Sequence, residues 1–292
     1  MICINDGSTD NSLEILRAYE KEYPNVKVID KENGGVCTAR NAGLDVAVGK
    51  YIWFIDSDDC IRQNCLGTIK KSIVEEKPEI VFIPHKDVPD EYSLETCEKI
   101  QLAYYVENSI DSACTVWETI IKREIIFDNH IRFNEKIKYA EDALFQYYIY
   151  IYRNTRRVVF HDSIYFYRIR KNSAMQSKNL QRWTRQANDF LELSKTYKRE
   201  YERVIVNDKE KLSNTRLRQY WATEALLCVL PKSSLDYKST MQDLKADGLY
   251  PYPMLWGKFF GAKGLKGKLI QFPKLLFRFK WLYKIYYKLA NK

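Results

Sequence analysis

The stretch Tyr51-Ile-Trp-Phe-Ile-Asp-Ser-Asp-Asp59 carries the reading of this chain. Its first five residues form a near-continuous apolar run, the pattern of a strand buried on both faces, and the run ends abruptly in Asp56-Ser57-Asp58-Asp59. Upstream, Ile2 to Ile4 repeats the arrangement, ending in Asn5-Asp6-Gly7. Leu13, Leu16, Tyr19 and Tyr23 then share one helical face, Val26 to Ile29 reads as a strand, and Asn33-Gly34-Gly35 as a turn. Val36, Ala39, Gly43, Leu44 and Ala47 follow at helical spacing. Downstream come a helix through Leu66, Ile69, Ile73 and Val74 and a strand from Glu79 to Ile83. Strands alternating with helices predict an α/β fold, a mostly parallel sheet flanked by helices, with ligands beyond the carboxyl ends of the strands. Both acidic loops lie at such ends.

The chain has 292 residues, 46% hydrophobic and 29% charged, which fits one large or two modest globular domains and excludes collagen, coiled coil and wholesale disorder. After about residue 90 the alternation gives way to aromatic-rich helical stretches, then a strand-like segment from Arg157 to Arg168. Trp183, Phe190, Leu193 and Tyr197, and later Leu217, Trp221, Leu226 and Leu227, predict long charged helices. The expected organisation is residues 1–170 as the α/β domain, 171–250 as a helical extension and 251–292 as a basic aromatic tail. Seven cysteines without CxxC spacing argue against zinc and a secreted disulfide framework. With no leader pattern and no apolar run of ~18 residues, the expected location is cytoplasmic, peripheral at the inner face of the plasma membrane.

Two carboxylates at i and i+2 on a strand end suit Mg²⁺ or Mn²⁺ sharing a diphosphate. An isolated Asp-x-Asp is more often only a turn and helix-cap cluster. Glu141-Asp142 likewise reads as a helix start favoured by the macrodipole. Taken together and in order, however, Asn5-Asp6-Gly-Ser-Thr-Asp-Asn-Ser12, Asn33-Gly34-Gly35-Val-Cys-Thr-Ala-Arg40-Asn-Ala-Gly43, Asp56-Ser57-Asp58 and Glu141-Asp142 resemble the family 2 glycosyltransferases with a GT-A fold over roughly the first 170 residues. The resemblance implies that Asp6 recognises uracil, Arg40 supports the nucleotide, Asp56 and Ser57 meet the donor, Asp58 binds the metal, and Asp142 is the base. It implies an inverting, metal-dependent transfer from a nucleotide sugar, a UDP-sugar for choice, to a hydroxyl of a glycan or lipid-linked acceptor in surface polysaccharide synthesis. Arg168 or Arg170 could contact the diphosphate. Family members open with one more strand, a Pro-Val-Tyr-Asn-like loop and a helix, so the resemblance also raises a non-catalytic, truncated remnant or membrane-associated scaffold as the alternative.

From Pro251 to Lys292 there are ten Lys or Arg and no Asp or Glu, leaving 37 basic and 38 acidic residues elsewhere. Phe272, Phe279, Tyr283, Tyr286 and Leu289 interleave with Lys274, Lys280, Lys284 and Lys288. This predicts an amphipathic helix on an anionic membrane surface or docked on the protein, and no nucleic-acid partner.

Overall fold

The computed structural model describes residues 1–92, 102–108, 115–152, 156–170, 179–203, 209–251, 277 and 279–290. The chain divides into two compact units: residues 1–135 with 141–176, and residues 136–140 with 177–292.

In the first unit, β1 (Ile2–Asp6) pairs in parallel with β2 (Lys27–Lys31), and among the described residues these two form a sheet of their own. Helix α1 (Ser12–Glu22) joins them and has no buried residue; Tyr19 and Tyr23 of its predicted apolar face are exposed, because a two-stranded sheet offers too little surface to cover them. Helix α2 (Val36–Val46) leads to β3 (Tyr51–Trp53). That strand is an edge strand of intermediate burial paired only with β8 (Thr119–Lys122), not the doubly covered strand its apolar run predicts. The sheet continues through β5 (Ile80–Phe82), β9 (Arg156–Phe160) and β7 (Tyr104–Asn108), in the order β3-β8-β5-β9-β7. A third sheet runs β4 (Cys60–Ile61), β10 (Tyr165–Ile169), β6 (His85–Pro89). The α/β class stands, but the sheets are mixed: β1-β2, β5-β9 and β6-β10 are parallel, the other described pairings antiparallel. The predicted strand from Arg157 to Arg168 is two strands in two different sheets.

Pleat alternation explains how the five-stranded sheet is covered. Ile80 lies opposite Ile121 and Val81 opposite Ile120, so successive residues face opposite sides. Ile80 and Ile121 pack with Cys37 and Leu44 of α2, with Ile125 and Ile126 of α4 (Arg123–Asp128), and with Phe145 and Ile149 of α5 (Glu141–Tyr152). Val81 and Ile120 pack with Cys65 and Ile69 of α3 (Cys65–Glu76) and with Phe160 and Tyr165. The sheet thus holds α2 and α5 on one side, with their N-terminal ends carrying the polar motifs.

The second unit is helical: α6 (Leu180–Arg203), α7 (Lys209–Val229), a single 3-10 turn (Leu230–Lys232), α8 (Tyr237–Ala246) and α9 (Lys280–Ala290). Ala187, Leu226, Leu227, Leu244, Phe277 and Tyr283 form its core. Buried Asp189 of α6 accepts the backbone N–H groups of Lys138 and Tyr139, both at 3.0 Å, and so binds residues 136–140 into this unit. Of the predicted tail, 251–292, residues 252–276, 278, 291 and 292 lie outside the described set. Within α9, Tyr283 is fully buried and its hydroxyl donates to the Leu227 carbonyl at 2.9 Å, while Tyr286 donates to Cys228 at 3.4 Å. These carbonyls belong to the last turn of α7. The two tyrosines therefore face the protein.

Candidate active site

Asp6 closes β1, and Gly7 after it has φ +70°, with an added Cβ coming to 2.8 Å of the Asn33 backbone nitrogen. Only glycine lets the two loops meet this closely. Across the gap, Asn33 Nδ2 donates to the Asp6 carbonyl at 2.8 Å. The Asp6 carboxylate accepts Gly34 N–H at 3.0 Å, Gly35 N–H at 2.8 Å and Lys31 Nζ at 2.5 Å. Burial alone would raise its pKa; these donors outweigh burial and hold it below the ordinary carboxylate range. Gly35, at φ +89°, is the N-cap of α2, so the Asp6 contact sets where that helix starts.

Arg40 projects from the second turn of α2. Its guanidinium donates to Asp142 at 2.6 Å, Asp56 at 2.9 Å and Glu141 at 3.1 Å. Below it lies the Phe133 ring, 5.3 Å from the guanidinium carbon and stacked on Phe145 of α5 at 4.1 Å. Asn41 fixes that ring by accepting Phe133 N–H at 2.9 Å and donating to its carbonyl at 3.0 Å. One cation thus meets three carboxylates in a largely buried place. Burial pushes the Glu141 carboxyl up to about 8, with Asp142 adding to the rise and Arg40 opposing it. Asp142 is also raised by burial, against the pull of Arg40. The two carboxyls share a hydrogen bond and titrate as a pair. Burial works against the Arg40 charge as well, yet its three partners hold it more firmly protonated than a free arginine.

The Asp56 to Asp59 segment is a turn closed by Asp59 N–H to the Asp56 carbonyl at 3.2 Å. Tyr165 of β10 braces it, accepting Asp56 N–H at 3.1 Å and donating to Asp59 at 2.7 Å. Asp59 also accepts Arg168 N–H at 2.9 Å. Burial raises the Asp59 pKa, and Asp56 and Asp58 add to the rise. Ser57 sits exposed at the tip, and Asp58 is ion-paired with Arg170. Among the described residues no three His, Cys, Asp or Glu side chains form a metal-binding group. The hard carboxylate oxygens of this turn nonetheless fit Mg²⁺ or Mn²⁺, which take one or two protein carboxylates and complete their shell with water and phosphate oxygens.

Of the residues singled out in the sequence, Arg40, Asp56 and Asp142 are joined by direct ion pairs. Asp6 is held by the glycine loop one helical turn before Arg40. Asp58 is drawn to Arg170 instead. Sequence reading missed Lys31, Asp59 and Tyr165 as parts of the site and gave Glu141 no role of its own. Tyr165 lies 106 residues from Asp59, and nothing in the local sequence announces that pairing.

A family model described as glycosyl transferase family 2 matches residues 1–175. The chain is 28% identical over 204 residues to glycosyltransferase GlyG of Streptococcus pneumoniae, covering 63% of this chain and 66% of that protein. It is 31% identical over 187 residues to a poly(ribitol-phosphate) beta-glucosyltransferase of Bacillus spizizenii, covering 61% and 28%. An uncharacterized glycosyltransferase of Escherichia coli, YibD, is 26% identical over 182 residues, and the chain spans about half of its length, 53%. In structure, the chain is similar to S. aureus TarS 1-349 in complex with UDP, with a TM-score of 0.59, 18% identity, and coverage of 98% of this chain and 81% of that one. The TarS complex with UDP-GlcNAc gives 0.56 and 19%, over 96% and 70%. The GT-A-like fold expected from the sequence is the one shared with these structures. The matched region contains the glycine loop, the Asp-rich turn and the Glu-Asp helix start and covers more than half of the residues, and on that ground the chain belongs to glycosyl transferase family 2.

Proposed function

We propose that the chain is a glycosyltransferase that moves a sugar from a UDP-sugar to a hydroxyl of a glycan or lipid-linked acceptor, with inversion at the anomeric carbon. The observation that carries this reading is the convergence of Asp56, Glu141 and Asp142 on Arg40, which joins the Asp-rich turn to the Glu-Asp helix start. Asp142 is the base: it takes the acceptor's proton as that oxygen bonds to the anomeric carbon and the bond from that carbon to the diphosphate breaks. Its raised pKa makes it a stronger base than an exposed aspartate, and Arg40 keeps it aimed. Asp6, with its lone pairs ordered by the glycine loop, is the acceptor for the uracil N–H, and Arg170, ion-paired with Asp58 of the Asp-rich turn, is the cation for the diphosphate. Asp58 would hold Mg²⁺ or Mn²⁺, which supplies positive charge to the departing diphosphate.

The test is UDP release from a panel of UDP-hexoses, measured with and without Mn²⁺. Release that needs Mn²⁺ and is lost in Asp142→Asn and Asp58→Ala is the expected result. Release of pyrophosphate instead, or UDP release indifferent to Asp142→Asn, would overturn the assignment.

A further inference from the structure

Among the described residues, helix α9 packs on its unit by one face and leaves another open. Tyr283 is 0% exposed, and Tyr286 and Tyr287 pack against the same core. On the opposite side run two adjacent ridges at i, i+4, i+8 spacing. One is Trp281, Ile285 and Leu289, exposed by 64%, 50% and 66%. The other is Lys280, Lys284 and Lys288, all exposed. The tyrosines thus account for the docking of the helix, and they do not account for the three large apolar side chains turned to solvent.

We propose that this face is a membrane-interface surface that seats the helical unit on an anionic bilayer. Trp281, Ile285 and Leu289 enter the boundary between headgroups and acyl chains, and the lysine ridge beside them meets lipid phosphates. Charge selects this occupant. An apolar stripe alone would equally suit a second copy of the chain, but a second copy would bring three more lysines against these three. No acidic residue lies anywhere from Pro251 to Lys292 to neutralise them. A bilayer supplies what this face needs at once, a continuous sheet of negative charge with apolar depth beneath it. No described helix is long and apolar enough to cross a membrane, so α9 lies in the surface plane. The inference is independent of the transfer chemistry, and its test reads binding alone.

The full chain would be sedimented with vesicles of phosphatidylcholine and with vesicles that also contain phosphatidylglycerol. Binding to the anionic vesicles only is expected. Lys280→Glu/Lys284→Glu/Lys288→Glu should weaken that binding by about a hundredfold, and Trp281→Ser/Ile285→Ser/Leu289→Ser by about tenfold or more. Thermal unfolding of both variants should match the parent, since every altered side chain is exposed. Absence of vesicle binding, or binding that both variants retain, overturns the proposal. So does self-association abolished by the serine variant in a chain that ignores vesicles, which would make the stripe a contact between copies. UDP release measured in parallel separates failure of this proposal from failure of the transferase reading.

Discussion

Arg40 concentrates more electrostatic consequence than any other side chain described here. Removing it leaves Asp56, Glu141 and Asp142 facing one another without their shared cation, and breaking a buried ion pair from one side typically costs about 3–5 kcal/mol. Urea unfolding of Arg40→Ala should show a loss of that order, with Arg40→Lys recovering part of it. Glu141 gives a prediction in pH. Its carboxyl is pushed from an ordinary 4.5 to about 8 in the folded protein. The folded state then binds a proton that the unfolded chain has released, so this group's stabilisation is complete below pH 4.5 and is lost as pH rises towards 8. Asp142 shares that proton through the hydrogen bond between the two carboxyls, so the loss belongs to the pair. Thermal unfolding followed between pH 5 and 8.5 should show the decline, and Glu141→Gln should flatten it. At this scale the sequence told the residue types and little about their partners. Asp6 was marked only by the resemblance of its loop to a family motif, and that Gly34 and Gly35 donate to it is a tertiary fact. Nor did the sequence mark the partners of Arg40: its carboxylates are 16, 101 and 102 residues away.

Among the elements, α3 carries the clearest local misfit. It ends at Lys77, a non-glycine residue at φ +46° whose N–H donates to the Ile73 carbonyl at 3.0 Å. Such left-handed helix ends favour glycine, which has no Cβ to crowd the following carbonyl. Lys77 is exposed and far along the chain from the Asp and Glu motifs, so Lys77→Gly should stabilise the protein by about 0.5–1 kcal/mol, read as a rise in Tm with UDP release unchanged. Helix positions were well marked by apolar spacing because burial of one face repeats every three or four residues within a single element. Strand pairing was not so marked. Tyr51 to Ile55 looks doubly buried by composition, yet β3 is an edge strand, since which strands sit beside it depends on residues 119–122 and not on its own.

For the molecule as a whole, the division of the chain cuts across its linear order. Residues 136–140 belong with the helical unit although both flanks belong to the α/β unit, and Asp189 is what holds them there. Asp189 is buried, accepts two N–H groups and pairs with Arg185 at 3.3 Å. Asp189→Ala should cost about 3 kcal/mol or more by stranding those donors, and Asp189→Asn less, because both donors meet one oxygen, Oδ2, and an amide oxygen in its place still accepts them. Denaturant titration of the two variants gives the comparison. What the sequence determined by itself was local: the apolar periods that mark helices and strands, the turn at Asn33 to Gly35, the Asp-rich bend, and the charge imbalance of the tail. Tertiary structure alone decided that the sheets are mixed, that Arg40 is saturated by carboxylates, that Asp58 meets Arg170, and that Tyr283 and Tyr286 turn inward while Trp281 turns outward. The physical reason is one of range. A backbone group or an apolar face states its need within a few residues, whereas the partner that meets the need is chosen by packing among segments a hundred residues apart.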